Sequence, residues 1–303
     1  MKRLALLASF LVLFVAACGS VGVQAHTISL AYKAGDVYSY AFHLALKYAV
    51  GTSGFSMPLD LDMKAKETIT VKSVDSSGTA NVSIAVSNMS ITTSVNGTSS
   101  TTTSTTTTNA EMKVAADGRI VSVNGSAISN SAFPGMTSFY QGGFVSAILP
   151  DHPVKPGDKW SKSYDAPNPY GSGTSNMTSD STYLREEKFG TANTSVIESK
   201  MKLTLDMSLD PSSILGANGA SPMPTGDSAG ALQSMAVKGT GTADVTSYID
   251  IGAHRLVKTH STGTFDATLS VKAPSNGSTP TPSPVLSGPI TIKGTQNLDM
   301  NPV

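Results

Sequence analysis

The sequence predicts a mainly β protein: a long-stranded antiparallel barrel or half-barrel, built from two related β series with one central amphipathic helix between them. Three observations predict it. Apolar and polar residues alternate over long stretches, one central segment has helical spacing, and landmarks recur in the same order on both sides of that segment. The expected organisation is a single β domain over 35–303, with series 35–132, helix 135–149 and series 157–300.

The first series opens with the clearest strand pattern in the chain. Between Val37 and Val50 apolar residues occupy every second position, and between Leu59 and Val71 the pattern repeats. Glu67 is the one charged residue on the apolar face of this second run. A bulge, a rim position or a buried carboxylate would each explain Glu67, and bulges and rim positions are the commoner outcomes.

A run of eleven consecutive Ser and Thr residues, from Thr98 to Thr108, follows in the first series. Such low-complexity sequence forms either a loop or an edge strand. Because threonine is favoured in strands, an edge strand is the preferred interpretation.

The central segment has the spacing of a helix that lies against an apolar surface. Pro134 precedes it and Pro150 ends it, while the Gly142-Gly143 pair weakens it, since glycine costs about 1 kcal/mol relative to alanine in a helix interior. Packing must therefore hold the helix, either as a core helix on the sheet or as a plug over an apolar cavity. The apolar stripe consists of Met136, Phe139, Tyr140, Gly143, Phe144, Ala147 and Ile148.

The second series matches the first at three landmarks, which indicates an internal duplication. The matched pairs are Gly35-Asp36 with Gly157-Asp158, Gly78-Thr79 with Gly190-Thr191, and 112–121 with 248–257. Long alternating runs at 197–209 and 265–271 supply its strands, and connectors rich in Gly, Pro and Ser separate them.

Strands of this length leave a large apolar face to cover. A strand of ~13 residues spans roughly 44 Å at ~3.4 Å per residue. One short helix cannot cover a sheet of such strands, so the sheet must curl on itself, pack against a second sheet or enclose something. A barrel or half-barrel is the first choice among these.

The amino terminus is typical of a secretory signal peptide over residues 1–17, because a short basic start precedes an apolar run too short to remain in a bilayer. The Val-Ala-Ala-Cys sequence that ends at Cys18 resembles the lipobox of bacterial lipoproteins, in which the cysteine receives a diacylglyceryl group and becomes the first mature residue. A tether over 18–34 would follow. Cleavage after Ala25 is the alternative and would release a secreted protein.

Charge and composition argue against several functional classes. Removal of residues 1–17 would leave 19 basic against 21 acidic residues, and no basic stripe favours nucleic acid as a partner. The five histidines lack metal-type spacing, and no Gly-x-Ser-x-Gly nucleophile motif occurs. We therefore expect a protein that is not an enzyme and holds no metal or cofactor.

A lipobox, long amphipathic antiparallel strands and a helix across the concave side resemble the envelope lipoprotein carriers of the LolA and LppX/LprG kind. The resemblance is one of layout, and the duplication departs from their single unit. It implies an apolar half-barrel that holds an acylated ligand. The Gly-Asp-x-Trp-Ser element at 157–161, after Val154-Lys155-Pro156, is similar to one in uncharacterised bacterial lipoproteins.

The expected function is therefore a membrane-tethered extracytoplasmic lipoprotein that binds or carries a lipid-like ligand. The alternative is a structural or interaction lipoprotein of the envelope with a packed core and no ligand. The expected membrane attachment is through lipidated Cys18, and the oligomeric state is left open. The residues expected to line the ligand cavity are Phe42, Leu44, Leu46, Phe139, Tyr140, Phe144 and Ile148.

Overall fold

The computed structural model describes residues 25–52, 54–123, 126–127, 146–167, 171–209, 234–272 and 289–303. This part of the chain is mainly β, and its thirteen strands form one antiparallel sheet. The strands are β1 (Val37–Thr52), β2 (Phe55–Val74), β3 (Ala80–Val95), β4 (Thr98–Ser104), β5 (Thr108–Val114), β6 (Ile120–Val123), β7 (Ser126–Ala127), β8 (Lys159–Pro167), β9 (Gly171–Phe189), β10 (Ala192–Leu209), β11 (Ser234–Asp250), β12 (Arg255–Lys272) and β13 (Ile290–Pro302).

Both predicted series lie in this one sheet. Its order is β7-β6-β5-β3-β2-β1-β13-β12-β11-β10-β9-β8, and β4 pairs with the second half of β3. The last strand, β13, joins the two series because it pairs with β1 on one side and β12 on the other. Within the described residues the sheet is not closed, so β7 and β8 are terminal strands and a closed barrel is not formed.

No helix occurs in the described part of the chain. Residues 146–149, predicted to form the last turn of helix 135–149, are bends and irregular backbone, while 135–145 lie outside the described residues. The prediction that the helix extends through 149 is therefore wrong. The amides of Ala147 and Ile148 donate to serine side chains of the sheet, so they do not form helical hydrogen bonds.

The alternation predicted for the first strand is confirmed. In β1 the side chains of Tyr40, Phe42, Leu44, Leu46 and Tyr48 are each at most 8% exposed. The strands are long, with 16 residues in β1, 20 in β2 and 19 in β9. The face that carries these buried side chains is called the inner face below.

The first strand of each series begins after the same turn. Gly35 and Gly157 have φ of +93° and +95°, a region that glycine enters without a steric penalty. In each turn the following aspartate, Asp36 or Asp158, donates its backbone N–H to the carbonyl three residues earlier and accepts that residue's N–H on its carboxylate. Equivalent sequence thus forms equivalent local structure at the two matched positions.

Glu67 is a buried carboxylate, 1% exposed on the inner face, and not the rim or bulge residue that was the preferred interpretation. A bulge does occur nearby, but on the partner strand. The β2–β3 register shifts between Lys64 and Lys66, opposite Asn88, which has φ of +51°. Burial raises the pKa of the neighbouring Tyr40, and the Glu67 charge raises it further.

Two chain segments cover one end of the inner face. Ile28 and Leu30, from the segment before β1, are 3% and 1% exposed, and they join the same core as Ile148, Leu149 and Val154. The two segments are also joined to each other by an antiparallel bridge at the start of the first one. The core is therefore formed between the sheet and these segments.

The two halves of the sheet also contact each other at this covered end. Tyr164 on β8 donates a hydrogen bond to Asp117, in the turn between β5 and β6, at 3.3 Å. Arg119 stacks over the Tyr164 ring at 4.8 Å, and Lys162 Nζ lies 4.0 Å from Asp117. These side chains link strands that are far apart in the strand order, so the sheet curves.

Candidate ligand site on the inner face of the sheet

The register of the strands arranges inward side chains in rows across the sheet, and two neighbouring rows are rich in hydroxyls. We call them the serine rows. The first contains Phe42, Met300, Thr259, Ser247, Ile197 and Tyr183. The second contains Leu44, Leu298, Ser261, Val245, Ser199, Ser181 and Trp160.

Residues 146–149, which we call the strap, lie on the serine rows. Ala147 N–H donates to Ser247 Oγ at 2.8 Å, and Ile148 N–H donates to Ser199 Oγ at 2.9 Å. The Ile148 carbonyl accepts from Trp160 Nε1 at 3.0 Å. The sheet therefore binds the strap through its backbone, and short serine side chains leave the space that its apolar side chains occupy.

The hydroxyls beneath the strap also bond one another. Ser199 lies 2.7 Å from Ser181, and Ser247 lies 2.8 Å from Thr259. All four side chains are at most 2% exposed. Because a buried hydroxyl without a partner costs free energy, this network stabilises the four side chains, and Ser199 and Ser247 also accept the amides of the strap.

The next two rows along the strands carry glycine on three neighbouring strands, β11, β12 and β13. We call them the glycine rows. The first contains Leu46, Gln296, Gly263, Ala243, Met201, Ser179 and Lys162. The second contains Tyr48, Gly294, Phe265, Gly241, Leu203, Met177 and Tyr164.

A hollow of about 70 Å³ lies over the glycine rows. Beyond it, a second apolar cluster of Leu205, Met207 and Val237 continues the inner face toward the far ends of the strands. Leu203 and Phe265, at the hollow, remain partly exposed. The lining residues are Tyr48, Met177, Met201, Leu203, Gly241, Thr242, Ala243, Thr264, Phe265 and Gln296.

The hollow is an apolar environment with little hydrogen-bonding capacity. Burial raises the pKa of Tyr48 to about 12, so this side chain is neutral at physiological pH. Two aromatic rings, two methionines and a leucine line it together with Gln296 and two threonines, Thr242 and Thr264, that border it from the outer face. An apolar chain or ring fits this chemistry, because contact with these side chains removes its surface from water.

The outer face of the same strands is different in character. It carries an open groove of about 440 Å³ lined by threonines, with the Asp266–Lys293 ion pair at 2.9 Å. Both members of this pair are more than half exposed, so the pair contributes little to stability. The hollow and the groove lie at the same place in the sheet, and Gly241, Thr242, Thr264 and Phe265 border both, although the side chains of Thr242 and Thr264 are exposed on the outer face.

Four of the seven predicted cavity residues belong to one buried core, and none of these four lines the hollow. Phe42, Leu44, Leu46 and Ile148 are at most 4% exposed. The other three, Phe139, Tyr140 and Phe144, lie outside the described residues, as does Cys18.

Sequence reasoning missed the hollow, although alternation had already placed Leu203 and Phe265 on apolar faces. The signal that could have identified it is the recurrence of glycine at inward positions of neighbouring strands. Gly241, Gly263 and Gly294 occur on β11, β12 and β13. Each glycine alone only weakens a strand prediction.

One polar cluster near the serine rows holds the first described segment. Ser195 Oγ donates to the Tyr183 hydroxyl at 3.0 Å and lies 3.4 Å from His26 Nε2, while Tyr183 donates to Glu186 at 3.3 Å. Ser195 is 0% exposed, so this hydroxyl is enclosed by protein. Among the described residues, no group of three or more His, Cys, Asp or Glu side chains is placed to hold a metal ion.

Comparison with known proteins identified no relative of this chain. The chain matches no protein-family model, and no curated protein matches its sequence. In the part of the chain that the structure describes, no helix has the length and apolarity that crossing a membrane requires.

Proposed function

We propose that this chain is a membrane-tethered extracytoplasmic lipoprotein that binds or carries an apolar, lipid-like ligand on the inner face of its sheet. The observation that carries the proposal is the partly exposed apolar hollow between two apolar clusters. Partly exposed apolar side chains that line a concave surface are typical of a ligand site.

The size of the hollow limits the shape of the ligand. A pocket for a compact drug-sized molecule has roughly 300–1,000 Å³, whereas the hollow has about 70 Å³. A compact ligand does not fit, but a few carbons of an extended chain do. The ligand proposed is therefore chain-like, lies along the glycine rows, and directs a polar end toward Gln296.

The proposed architecture is a half-barrel made from two related series of strands. Contacts of Asp117 with Tyr164 and Lys162 support the curvature, and the matching turns at Gly35 and Gly157 support the duplication. A helix across the mouth stays part of the proposal, but it would have to end before residue 146, where the strap begins.

The proposed anchor is a lipid on Cys18, supported by the lipobox-like sequence around it. Such an anchor would place the inner face beside a membrane, which is itself a source of chain-like apolar molecules. Cleavage after Ala25 would instead give a secreted form with the same inner face.

The test is native mass spectrometry, with organic extraction, on protein purified without detergent from its own envelope. We expect an apolar molecule to be retained, and we expect Cys18 to be the first residue and to carry acyl mass, with Cys18→Ala as the control. A chain that begins at His26 without acyl mass would contradict the anchor. Absence of any retained apolar molecule would contradict the carrier function.

A matched pair of variants ties any binding to the hollow. Leu203→Asn places an amide in the hollow, whereas Leu184→Asn makes the same change at a leucine that is 38% exposed elsewhere on the sheet. With a dansyl-labelled undecanoic acid as the probe, Leu203→Asn should weaken binding about tenfold or more, and Leu184→Asn should leave it unchanged. Equal affinities for both variants would place the binding elsewhere.

The second candidate is a structural or interaction lipoprotein without a ligand. The serine rows favour it, because Ile148 and its neighbours Ala147 and Leu149 are 0% exposed and their amides have partners. Protein that retains no apolar molecule and does not bind the probe would establish this candidate over the carrier.

A further inference from the structure

We propose that the exposed edge of β4 (Thr98–Ser104) is an interface at which two copies of this protein pair strand to strand. The proposal is independent of the ligand function, because it concerns the edge of the sheet and not its inner face.

The position of β4 leaves one side of the strand exposed. Within the described residues β4 pairs with β3 alone, and its first six residues are all exposed. A two-residue turn, Asn96-Gly97, joins the two strands, with φ of +49° and +82°. Positive φ at both positions is typical of a type I′ hairpin turn, which fixes the register of the strands on either side.

That register determines which backbone groups point outward. The residues that flank a two-residue turn, Val95 and Thr98, exchange hydrogen bonds, so the pairs alternate from there along the hairpin. Ser99, Thr101 and Thr103 therefore direct their N–H and C=O groups away from β3. The hydroxyls of Thr92 and Thr101 approach to 2.9 Å, as expected for directly opposite residues in the closer, non-hydrogen-bonded pair.

The chemistry of this edge lacks the usual protection against pairing. Proteins guard edge strands with charges, proline or bulges. The terminal strand β8 has such features, with Lys159, Lys162, Asp165 and Pro167 in nine residues. By contrast, β4 contains only Ser and Thr. Its edge is open to another strand, whereas the edge of β8 is guarded.

A second copy of the same strand is the partner that this composition fits. Two β4 strands related by a twofold axis run antiparallel, and every register sets hydroxyl against hydroxyl without opposing charges. Outward N–H and C=O groups of one copy then meet those of the other. The result is one continuous sheet across two molecules.

The test is sedimentation velocity on the chain from residue 19 onward, produced without residues 1–18, so that neither lipid nor the apolar leader drives association and no native cysteine remains. We expect a concentration-dependent dimer. Thr101→Lys should weaken dimerisation at least tenfold, because it places a positive charge on the pairing edge of each copy. Thr242→Lys makes the same change at an exposed threonine within the sheet and should leave the dimer intact.

A cysteine scan locates the axis in the same background. A residue on the axis faces its own copy, at a Cα separation of ~4.5–5.5 Å that a disulfide spans. One position should therefore crosslink under oxidation far more than the others. The positions scanned are Ser99, Ser100, Thr101, Thr102 and Thr103. A monomer at all concentrations up to about 100 µM, or a dimer unaffected by Thr101→Lys and without preferred crosslinking, would overturn the proposal.

Discussion

The serine rows and the glycine rows solve the same packing problem in different ways. Both place small residues between large ones across four or more strands, so both leave space above the sheet. Over the serine rows the strap fills that space, and Ser199 and Ser247 bind its amides. Over the glycine rows a hollow lined by rings, methionines and a leucine remains.

The difference teaches what each region is able to hold. A peptide segment carries N–H groups that need partners when buried, and serine hydroxyls supply them. Glycine has no side chain, so a peptide placed over Gly241 and Gly294 would bury its amides against hydrocarbon. An apolar molecule has no such requirement. The serine rows are thus suited to the protein's own chain, and the glycine rows to an apolar ligand.

The largest expected effect on stability tests whether the strap is part of the packed core while the side chains at the hollow are not. Ile148→Ala should lower the free energy of unfolding by about 2–5 kcal/mol, because Ile148 is 0% exposed and its truncation leaves a cavity. Leu203→Ala should cost clearly less, since Leu203 is only partly buried beside existing space. Urea unfolding monitored by Trp160 fluorescence measures both. Equal costs would remove the distinction between the two regions.

A smaller effect tests the hydroxyls themselves. Ser199→Ala removes the acceptor of the Ile148 amide and a partner of Ser181, so we expect a loss of about 1–3 kcal/mol in the free energy of unfolding. Thr242→Ala is the control. It also breaks a hydroxyl pair, with Thr264 at 2.8 Å, but on the exposed outer face, so it should change stability by less than about 0.5 kcal/mol. A neutral Ser199→Ala would mean that the strap is held by apolar contact alone.

The sequence predicted the strands well, because their signal is local. In β1 every second residue is apolar, and the burial of Phe42, Leu44 and Leu46 follows directly. The predicted end of the helix is wrong because the structure there depends on contacts that are distant in sequence. Ala147 and Ile148 bind serines 100 and 51 positions away in the chain. The spacing of apolar residues within one segment cannot predict partners so distant in sequence.

The candidate site was predictable only in part, for a related reason. Alternation identified Leu203 and Phe265 as inward residues, but the hollow depends on glycines that become neighbours through strand register. Gly241 pairs with Phe265, and Phe265 pairs with Gly294. The register between strands that lie tens of residues apart in the chain cannot be predicted from the apolar pattern within a single strand.

The substitution with the smallest expected effect on stability, Gly241→Ala, best distinguishes a ligand-binding role of the hollow from a packing role. A methyl group at Gly241 would lie 3.3 Å from the Thr264 carbonyl oxygen, 3.5 Å from the Phe265 ring and 3.7 Å from Leu203 Cβ. The contact with the carbonyl oxygen is tight and requires a shift of a few tenths of an ångström, whereas the other two are ordinary. Gly241→Ala should therefore change the free energy of unfolding by less than about 1 kcal/mol, because alanine's lower entropy cost in a strand offsets this crowding. The methyl group nevertheless enters the hollow.

In a packed structural protein Gly241→Ala would therefore be silent, whereas in a carrier it should weaken binding of the dansyl-labelled undecanoic acid about tenfold. Gly263→Ala provides the contrast, because its methyl group would lie 2.5 Å from the Thr242 carbonyl oxygen and must displace backbone. That variant should lose stability as well as binding. Gly241→Ala protein that melts like the unmodified chain and binds the probe equally well would show that the hollow over the glycine rows is not where the ligand lies.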